Sequence, residues 1–272
     1  NVYPQINITA PIGGQNVSAH SNTTRPNWTC TGSSTITAVN IEYSLTSGDV
    51  PWSYVKNATS ANATNVPTGA TGGYLWYVPT ILSDNAAVIK VTDVDDANVS
   101  GVTPTFNIVG SIDITAPNGG EEWTVGSTKP ITWQQYPVIS VNISYSTNNG
   151  GDWTPVIADY FYNGTAASYQ WPIPNDTITS NTARIAIKHN TNPTVVNDTS
   201  TASFAILGWF DITDPENGNP VVAEEPYTIT WNNNSVGVTN VTLQYSVENP
   251  PANWSYVKTS GDNTVPNAGS YY

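Results

Sequence analysis

A motif of nine residues occurs three times along the chain, and it restricts the fold more than any other feature of the sequence. The copies begin at Ile6, Ile112 and Phe210, so successive copies are 106 and 98 residues apart. Each copy is followed by the same ordered landmarks, which are a first tryptophan, a Tyr-Ser pair and a second tryptophan. The first tryptophans are Trp28, Trp133 and Trp231, the pairs begin at Tyr43, Tyr145 and Tyr245, and the second tryptophans are Trp52, Trp153 and Trp254. Because regular self-similarity indicates tandem structural units, the sequence predicts modules over residues 1–110, 111–208 and 209–272.

Each module shows the two-residue period of β-strands. In the run from Val141 to Ser146, the apolar side chains of Val141, Ile143 and Tyr145 fall on one face. Turn formers separate such runs, and no long segment has helical spacing. About seven short strands in about 100 residues predict an all-β fold in which each complete module is a two-sheet sandwich.

Apolar packing has to hold these sandwiches together. Cys30 is the only cysteine, which excludes an intrachain disulfide. Trp28, Trp133 and Trp231 end alternating runs, so we expect them to point into the cores. Cys30 follows Trp28 at the same alternation and is predicted to be a buried packing thiol. The second tryptophans recur in all three modules, which favours packing, with sugar binding as the alternative.

The segment from Ile114 to Ser127, followed by Pro130-Ile131-Thr132-Trp133, resembles an immunoglobulin-like module common in archaeal and bacterial surface proteins. It is also similar to the Ser/Thr-rich, GPI-anchored cell-wall module of fungi. The resemblance covers the second copy fully and the others more loosely. It implies tandem immunoglobulin-like β-sandwich domains that serve as an extracellular spacer, wall or assembly module and carry no catalytic residues.

Asparagine, threonine and serine supply about a third of the residues, and many form Asn-x-Ser/Thr sequons for N-glycosylation. The 14 sequon asparagines are Asn7, Asn16, Asn22, Asn27, Asn57, Asn62, Asn98, Asn142, Asn163, Asn175, Asn197, Asn233, Asn240 and Asn253. This is about twice the number that the composition gives by chance, although an Asn/Thr-rich strand protein also accumulates such triplets. Dense sequons without disulfides favour an archaeal envelope over a eukaryotic ectodomain.

Net charge and the lengths of apolar runs limit the possible partners and the location of the protein. A net charge of −13 disfavours nucleic acid and anionic lipid as partners. No apolar run is long enough to span a bilayer, and the absence of methionine indicates a mature form or a piece of a longer chain. We therefore expect an extracellular or cell-surface location.

Catalytic clusters are missing from the sequence. His20 and His189 belong to different modules, and paired acids such as Glu121-Glu122 occur in predicted loops. We therefore expect no enzyme activity and no organic cofactor. Calcium is the candidate metal ion, because Asp93, Asp95 and Asp96 form a compact acidic loop. A solvated acidic loop is the competing interpretation.

The third copy has 63 residues, from Phe210 to Tyr272, and lacks the last strands of the other two. Either the sequence is a segment of a longer repeat protein, or a neighbouring chain completes module 3 by strand addition and so polymerises the subunits. Together these patterns predict a self-associating structural glycoprotein of a surface layer, sheath or extracellular filament. The alternative is an adhesin or carbohydrate-binding accessory array of a larger secreted protein.

Overall fold

The computed structural model describes residues 4–32, 36–216, 220–222, 224–257 and 261–272, and within these ranges the chain forms strands and no helix. No sheet combines strands from two of the three sequence copies. The all-β prediction is confirmed. The names module 1, module 2 and module 3 are kept for the three intervals 1–110, 111–208 and 209–272.

Module 1 consists of two sheets packed face to face. Its strands are β1 (Gln5–Ala10), β2 (Asn16–Ser18), β3 (Asn27–Thr31), β4 (Ala38–Ser44), β5 (Ser53–Tyr54), β6 (Val66–Pro67), β7 (Thr71–Gly73), β8 (Ser83–Asp93), β9 (Ser100–Val102) and β10 (Phe106–Val109). One sheet has the order β1-β3-β7. The other has the order β2-β10-β8-β4-β5, with β6 beside β4 and β9 beside β8. The first strand region thus changes sheets, and β2 runs parallel to β10.

Module 2 repeats this topology. Its strands are β11 (Ser111–Ala116), β12 (Glu122–Thr124), β13 (Thr128–Tyr136), β14 (Ser140–Ser146), β15 (Thr154–Phe161), β16 (Ala166–Pro172), β17 (Ser180–His189), β18 (Asn197–Thr199) and β19 (Phe204–Leu207). The sheets have the orders β11-β13-β16 and β12-β19-β17-β14-β15, with β18 beside β17. Two sheets that are antiparallel except at the parallel pairs β2–β10 and β12–β19 form an immunoglobulin-like sandwich in each module. Cys30 is a free thiol.

Module 3 keeps one complete sheet of this arrangement. Its strands are β20 (Trp209–Asp214), β21 (Ile229–Asn234), β22 (Asn240–Val241), β23 (Gln244–Tyr245), β24 (Ser255–Tyr256), β25 (Val265–Pro266) and β26 (Ser270–Tyr271). The sheet β20-β21-β26 corresponds to β11-β13-β16, whereas β22-β25 and β23-β24 are separate strand pairs. The apolar face of the complete sheet is therefore poorly covered.

Tryptophans fill the cores. Trp28, Trp133 and Trp231 are all buried, at 1%, 0% and 5% exposure, which confirms their predicted inward direction. Trp76 in module 1 and Trp171 in module 2 add a second buried ring to each complete core. Along β14, Val141 and Ile143 are buried while the residues between them are not, because successive strand residues point to opposite faces of a sheet.

Some sequence-based details are wrong. Trp153 and Trp254 are 36% and 55% exposed, so packing in a core does not explain their recurrence. The Trp153 ring lies against the turn at Gly150. Cys30 is half-buried and lies opposite Ile6 in the edge-strand pairing, and this partial burial raises the pKa of its thiol. The alternation of Val241, Leu243 and Tyr245 predicts that Tyr245 points inward, but Tyr245 is 52% exposed.

Single glycines join the modules. Gly110 separates β10 from β11, and Gly208 separates β19 from β20. A Cβ on Gly110 would lie 2.7 Å from Val138 Cγ2, and one on Gly208 would lie 2.5 Å from Ser235 Cβ. Close packing between successive modules therefore requires glycine at both junctions.

Candidate functional sites

The sequon asparagines avoid the cores. None of the 14 is buried, and only Asn27, Asn57 and Asn142 are half-buried, while the other 11 are exposed. Asn142 lies on the outer face of β14, as the alternation predicts, and its Oδ1 accepts a hydrogen bond from Asp159 N at 2.9 Å. The 11 exposed positions leave room for a bulky hydrophilic glycan outside the sandwich.

The predicted calcium residues do not come together as a set of ligands. Asp93 ends β8 and is 9% exposed, and its Oδ1 accepts a hydrogen bond from Asp95 N. Asp96 Oδ1 accepts hydrogen bonds from the backbone and side-chain nitrogens of Asn98, each at 3.0 Å. Over the ranges given above, no three His, Cys, Asp or Glu side chains lie close enough together to hold a metal ion. The Asp93 and Asp96 carboxylates stabilise the local turn.

The two histidines occupy separate structural positions. His20 stacks on Tyr136 of module 2 with ring centroids 3.6 Å apart, and the Tyr77 hydroxyl lies 2.7 Å from His20 Nδ1. His189 ends β17, where burial lowers its pKa and its Nδ1 atom has no hydrogen-bond partner. Glu121 accepts hydrogen bonds from the backbone N–H groups of Asn118 and Gly119 in a turn. None of these groups is paired with a nucleophile.

An aromatic cleft in module 1 was not predicted from the sequence. It has a volume of about 500 Å³, and its walls include Trp52, Tyr54, Tyr77, Asn57 and Asn62. The segment between β5 and β6 forms one wall, held by a bridge between Lys56 and Asn62. A sequence signal does exist, because 24 positions separate Trp52 from Trp76 whereas 18 separate Trp153 from Trp171.

A second unpredicted feature is an apolar groove on module 3. It has a volume of about 410 Å³ and is lined mainly by Phe210, Ile212, Trp231, Val241 and Leu243. Phe210 and Ile212 are 48% and 57% exposed. Their counterparts Ile112 and Ile114 are 8% and 1% exposed, because module 2 has a full second sheet above them.

Comparison with known proteins identifies no family for this chain. No family model and no curated protein matches the sequence. A segment of titin is similar at 13% identity and a TM-score of 0.28, covering 98% of this chain and 86% of that chain. Fibronectin(III)-like modules of Clostridium thermocellum CbhA give 12% identity and a TM-score of 0.23 over 74% of this chain and 93% of that chain. The structure of Dpr2 Ig1-Ig2 in complex with DIP-Theta Ig1-Ig3 gives 13% identity and a TM-score of 0.27 over 75% of this chain and 99% of that chain.

These TM-scores are too low to carry an argument about the fold, so the sandwich assignment depends on the strand order described above. A search of the described residues for a helix long and apolar enough to cross a membrane finds none.

Proposed function

We propose that the chain is a structural glycoprotein of an extracellular surface layer, sheath or filament. The placement of all 14 sequon asparagines outside the buried cores carries this proposal. The other 15 asparagines of the described residues also avoid the cores, as the polarity of the side chain requires, but only 8 of them are exposed, compared with 11 of the 14 sequon asparagines. The 20 acidic and 7 basic residues add to a hydrated, negatively charged exterior.

The junctions between modules support a role that needs stiffness. A linker of one residue leaves little freedom between successive sandwiches. Contacts across the first junction include the His20–Tyr136 stack and a 2.8 Å hydrogen bond from Ser111 Oγ to Ala19 O. At the second junction, Thr179 N donates a hydrogen bond to Val236 O at 3.1 Å. A stiff, extended array suits a wall or fibre component.

Glycopeptide mass spectrometry of the native protein tests the glycan part of the proposal. We expect glycans on most of the sequon asparagines, and a native chain without any glycan would contradict it. Electron microscopy of native material tests the assembly part, with ordered lattices or fibres as the expected result. Dispersed molecules that bind a glycan array would instead favour a carbohydrate-binding accessory array, for which the exposed rings of Trp153 and Trp254 are the supporting observation.

Self-association by strand addition would use module 3. In module 2, β14 pairs with β17 from Val141–His189 to Ser146–Arg184. The counterpart of β14 in module 3 is the β22–β23 stretch, and the described residues of this module place no strand on that side. We infer that an extended strand pairs there and covers the apolar groove, either one that follows in a longer chain or, for self-association, one from a neighbouring subunit.

Two aspartate substitutions test this mode of assembly. Leu243→Asp puts a charge into the groove, whereas Val247→Asp puts the same charge at a position that is 91% exposed. We expect sedimentation velocity to show loss of assembly for the first variant alone. Hydrogen exchange of β20 and β21 checks that module 3 stays folded, and unchanged assembly of a folded Leu243→Asp protein would refute the strand-addition proposal.

A further inference from the structure

The aromatic cleft of module 1 is a preformed structure. Its wall, from Val55 to Ala63, is anchored by these two residues, which are fully buried in the core. Backbone hydrogen bonds from Ala63 N to Val55 O at 2.8 Å and from Val55 N to Ile41 O at 3.0 Å fix both ends of the wall. The Tyr74 hydroxyl donates to Ala61 O at 3.2 Å and ties the tip of the wall to the sandwich. A ligand would therefore meet a cleft that needs little ordering.

The chemistry of the lining is amphipathic. Trp52, Tyr54 and Tyr77 contribute aromatic surface, and Asn57, Asn62 and Ser60 contribute amide and hydroxyl groups. The lining contains Lys56 but no carboxylate. A volume of about 500 Å³ falls within the range of about 300–1,000 Å³ that is typical of small-molecule sites.

Trp52 is held in a defined position. Lys90 Nζ lies 4.3 Å from the centroid of its ring, and Lys90 is in turn paired with Glu42 Oε2 at 2.8 Å. This cation–π contact orients the indole. A pyranose ring presents C–H groups on its faces and hydroxyls at its rim, so it matches an arrangement of aromatic faces bordered by amides and hydroxyls.

Two sequons lie in the same cleft. Asn57 and Asn62 flank the tip of the wall, and both line the cavity. Asn57 Oδ1 accepts hydrogen bonds from Thr59 N at 3.0 Å, Thr59 Oγ1 at 2.7 Å and Ala61 N at 3.0 Å. These bonds fix the Asn57 amide through its oxygen, so the nitrogen that would carry a glycan is the atom left for attachment. A sugar attached to either asparagine begins beside the aromatic rings.

We propose that this cleft is a carbohydrate subsite, occupied by the first sugar rings of the glycan on Asn57 or Asn62. The identity of the occupant rests on the proposed function, because it needs glycosylated asparagines. The subsite itself does not, because its shape and lining belong to the unmodified chain. Bound in this way, the glycan covers part of module 1 and shields the wall.

The test compares full-length chains with and without glycans. Thr59→Ala together with Thr64→Ala removes both sequons but keeps both asparagines. Thr9→Ala together with Ser100→Ala removes the sequons of Asn7 and Asn98, which are exposed in the same module and outside the cleft, and serves as the matched control. Each pair is made in a glycosylating host and in one that adds no glycans, so that effects of the substitutions alone can be subtracted.

Hydrogen exchange of residues 55–65 is the readout. Thr59→Ala also removes the hydrogen bond from Thr59 Oγ1 to Asn57 Oδ1, and the unglycosylated chain measures that effect alone. Beyond it, we expect removal of the two cleft sequons to speed exchange about fivefold in the glycosylated chain, the size expected for one lost aromatic contact. The control pair, Thr9→Ala with Ser100→Ala, should leave the exchange of residues 55–65 unchanged in both the glycosylated and the unglycosylated chain. In a Trp52→Ala background the fivefold effect should disappear, since the ring that couples to the sugar is gone.

A second arm uses the unglycosylated chain and free methyl glycosides of glucose, mannose, galactose and N-acetylglucosamine. The Trp52 indole N–H resonance, assigned by a Trp52→Phe variant, reports binding. A saturating shift without the fivefold effect means that the subsite takes sugars from another molecule, which supports the subsite and reassigns its occupant. If neither the exchange effect nor the shift occurs, the proposal is overturned. Glycopeptide mass spectrometry of the native chain tests glycosylation independently of the cleft. A native chain without glycans would contradict the proposed function, whereas the sugar titration tests the subsite alone.

Discussion

Replacing Gly110 with alanine should open the junction between modules 1 and 2. The new methyl group would lie 2.7 Å from Val138 Cγ2, 3.2 Å from Tyr136 O and 3.3 Å from Pro137 O. Ordinary contacts of a Cβ begin at about 3.4 Å, so the chain has to move by several tenths of an ångström. Val138 is 4% exposed and belongs to the core of module 2, and Tyr136 is part of β13, so neither neighbour can yield freely.

The least costly relief is a small rotation of the two modules away from each other. Overpacking of this kind costs about 1–3 kcal/mol when the surroundings hold firm. If the modules rotate apart, the overpacking is relieved but the His20–Tyr136 stack is lost, and such an aromatic contact is worth about 0.5–1.5 kcal/mol. The two costs are similar, so we expect both effects: a junction weakened by about 1 kcal/mol and a wider distribution of angles between the modules.

Small-angle X-ray scattering and hydrogen exchange measure these effects. We expect a broader distance distribution for Gly110→Ala and faster exchange around residues 136–139, with the interiors of both modules unchanged. Gly69→Ala is the matched control, because a Cβ there meets nothing within 4 Å. If Gly110→Ala scatters and exchanges like the parent and the control, the junction is not closely packed and the argument for a stiff array is wrong.

Three further substitutions probe the cores and the electrostatics. Trp133→Ala should destabilise module 2 by about 3–5 kcal/mol in denaturant unfolding, whereas Trp153→Ala should change stability by less than about 0.5 kcal/mol; equal effects would contradict the burial pattern. Burial lowers the pKa of His189, so below about pH 6.5 the unfolded chain takes up a proton that the folded chain does not, and stability falls as the pH drops. His189→Gln should flatten the pH dependence of module 2 stability between about pH 7 and pH 5, and an unchanged slope would exclude this contribution. Glu42→Gln should cost no more than about 1 kcal/mol, since its pairing with Lys90 is partly exposed, and a larger loss would mean that the pair orders Trp52 more strongly than its exposure suggests.

The sequence predicted the sandwiches because their cores are built from local alternation. Val141 and Ile143 fall on one face of β14 by the geometry of a strand alone. Trp133 points into the core by the same alternation along β13. These positions need no knowledge of which strands pair. The same alternating run recurs in all three modules, and this recurrence supports the strand assignment more strongly than any single run does.

Alternation could not predict which tryptophans lie at the ends of the sandwich. Trp52, Trp153 and Trp254 recur as regularly as the core tryptophans, but they follow a turn, where the side-chain direction depends on the turn geometry instead of the strand period. Asn149 and Gly150 both have positive φ in that turn, and the indole of Trp153 lies over it. Recurrence reports a shared backbone position and carries no information on burial by itself.

The candidate sites depended on contacts that are distant in sequence. The acidic loop looked like a cation site because three carboxylates lie close along the chain, yet two of these carboxylates accept hydrogen bonds from their own turn. The cleft could not be predicted because its lining residues are far apart in the sequence. Tyr77 reaches it from beyond β7, and only the six additional positions between Trp52 and Trp76 gave any sign that module 1 has an extra wall.

Modules 1 and 2 also show what module 3 needs. In both, the strand in the position of β14 is covered by a long partner, β8 or β17, whose inner residues reach the core. Module 3 keeps the buried Trp231 but leaves Phe210 and Ile212 half exposed, so the described residues leave part of its apolar sheet face uncovered. Burial of two such side chains is worth about 1.5–3 kcal/mol each. Phe210 and Ile212 are already about half covered, so an added strand recovers only part of that free energy, and linking two subunits also requires the backbone hydrogen bonds of strand pairing.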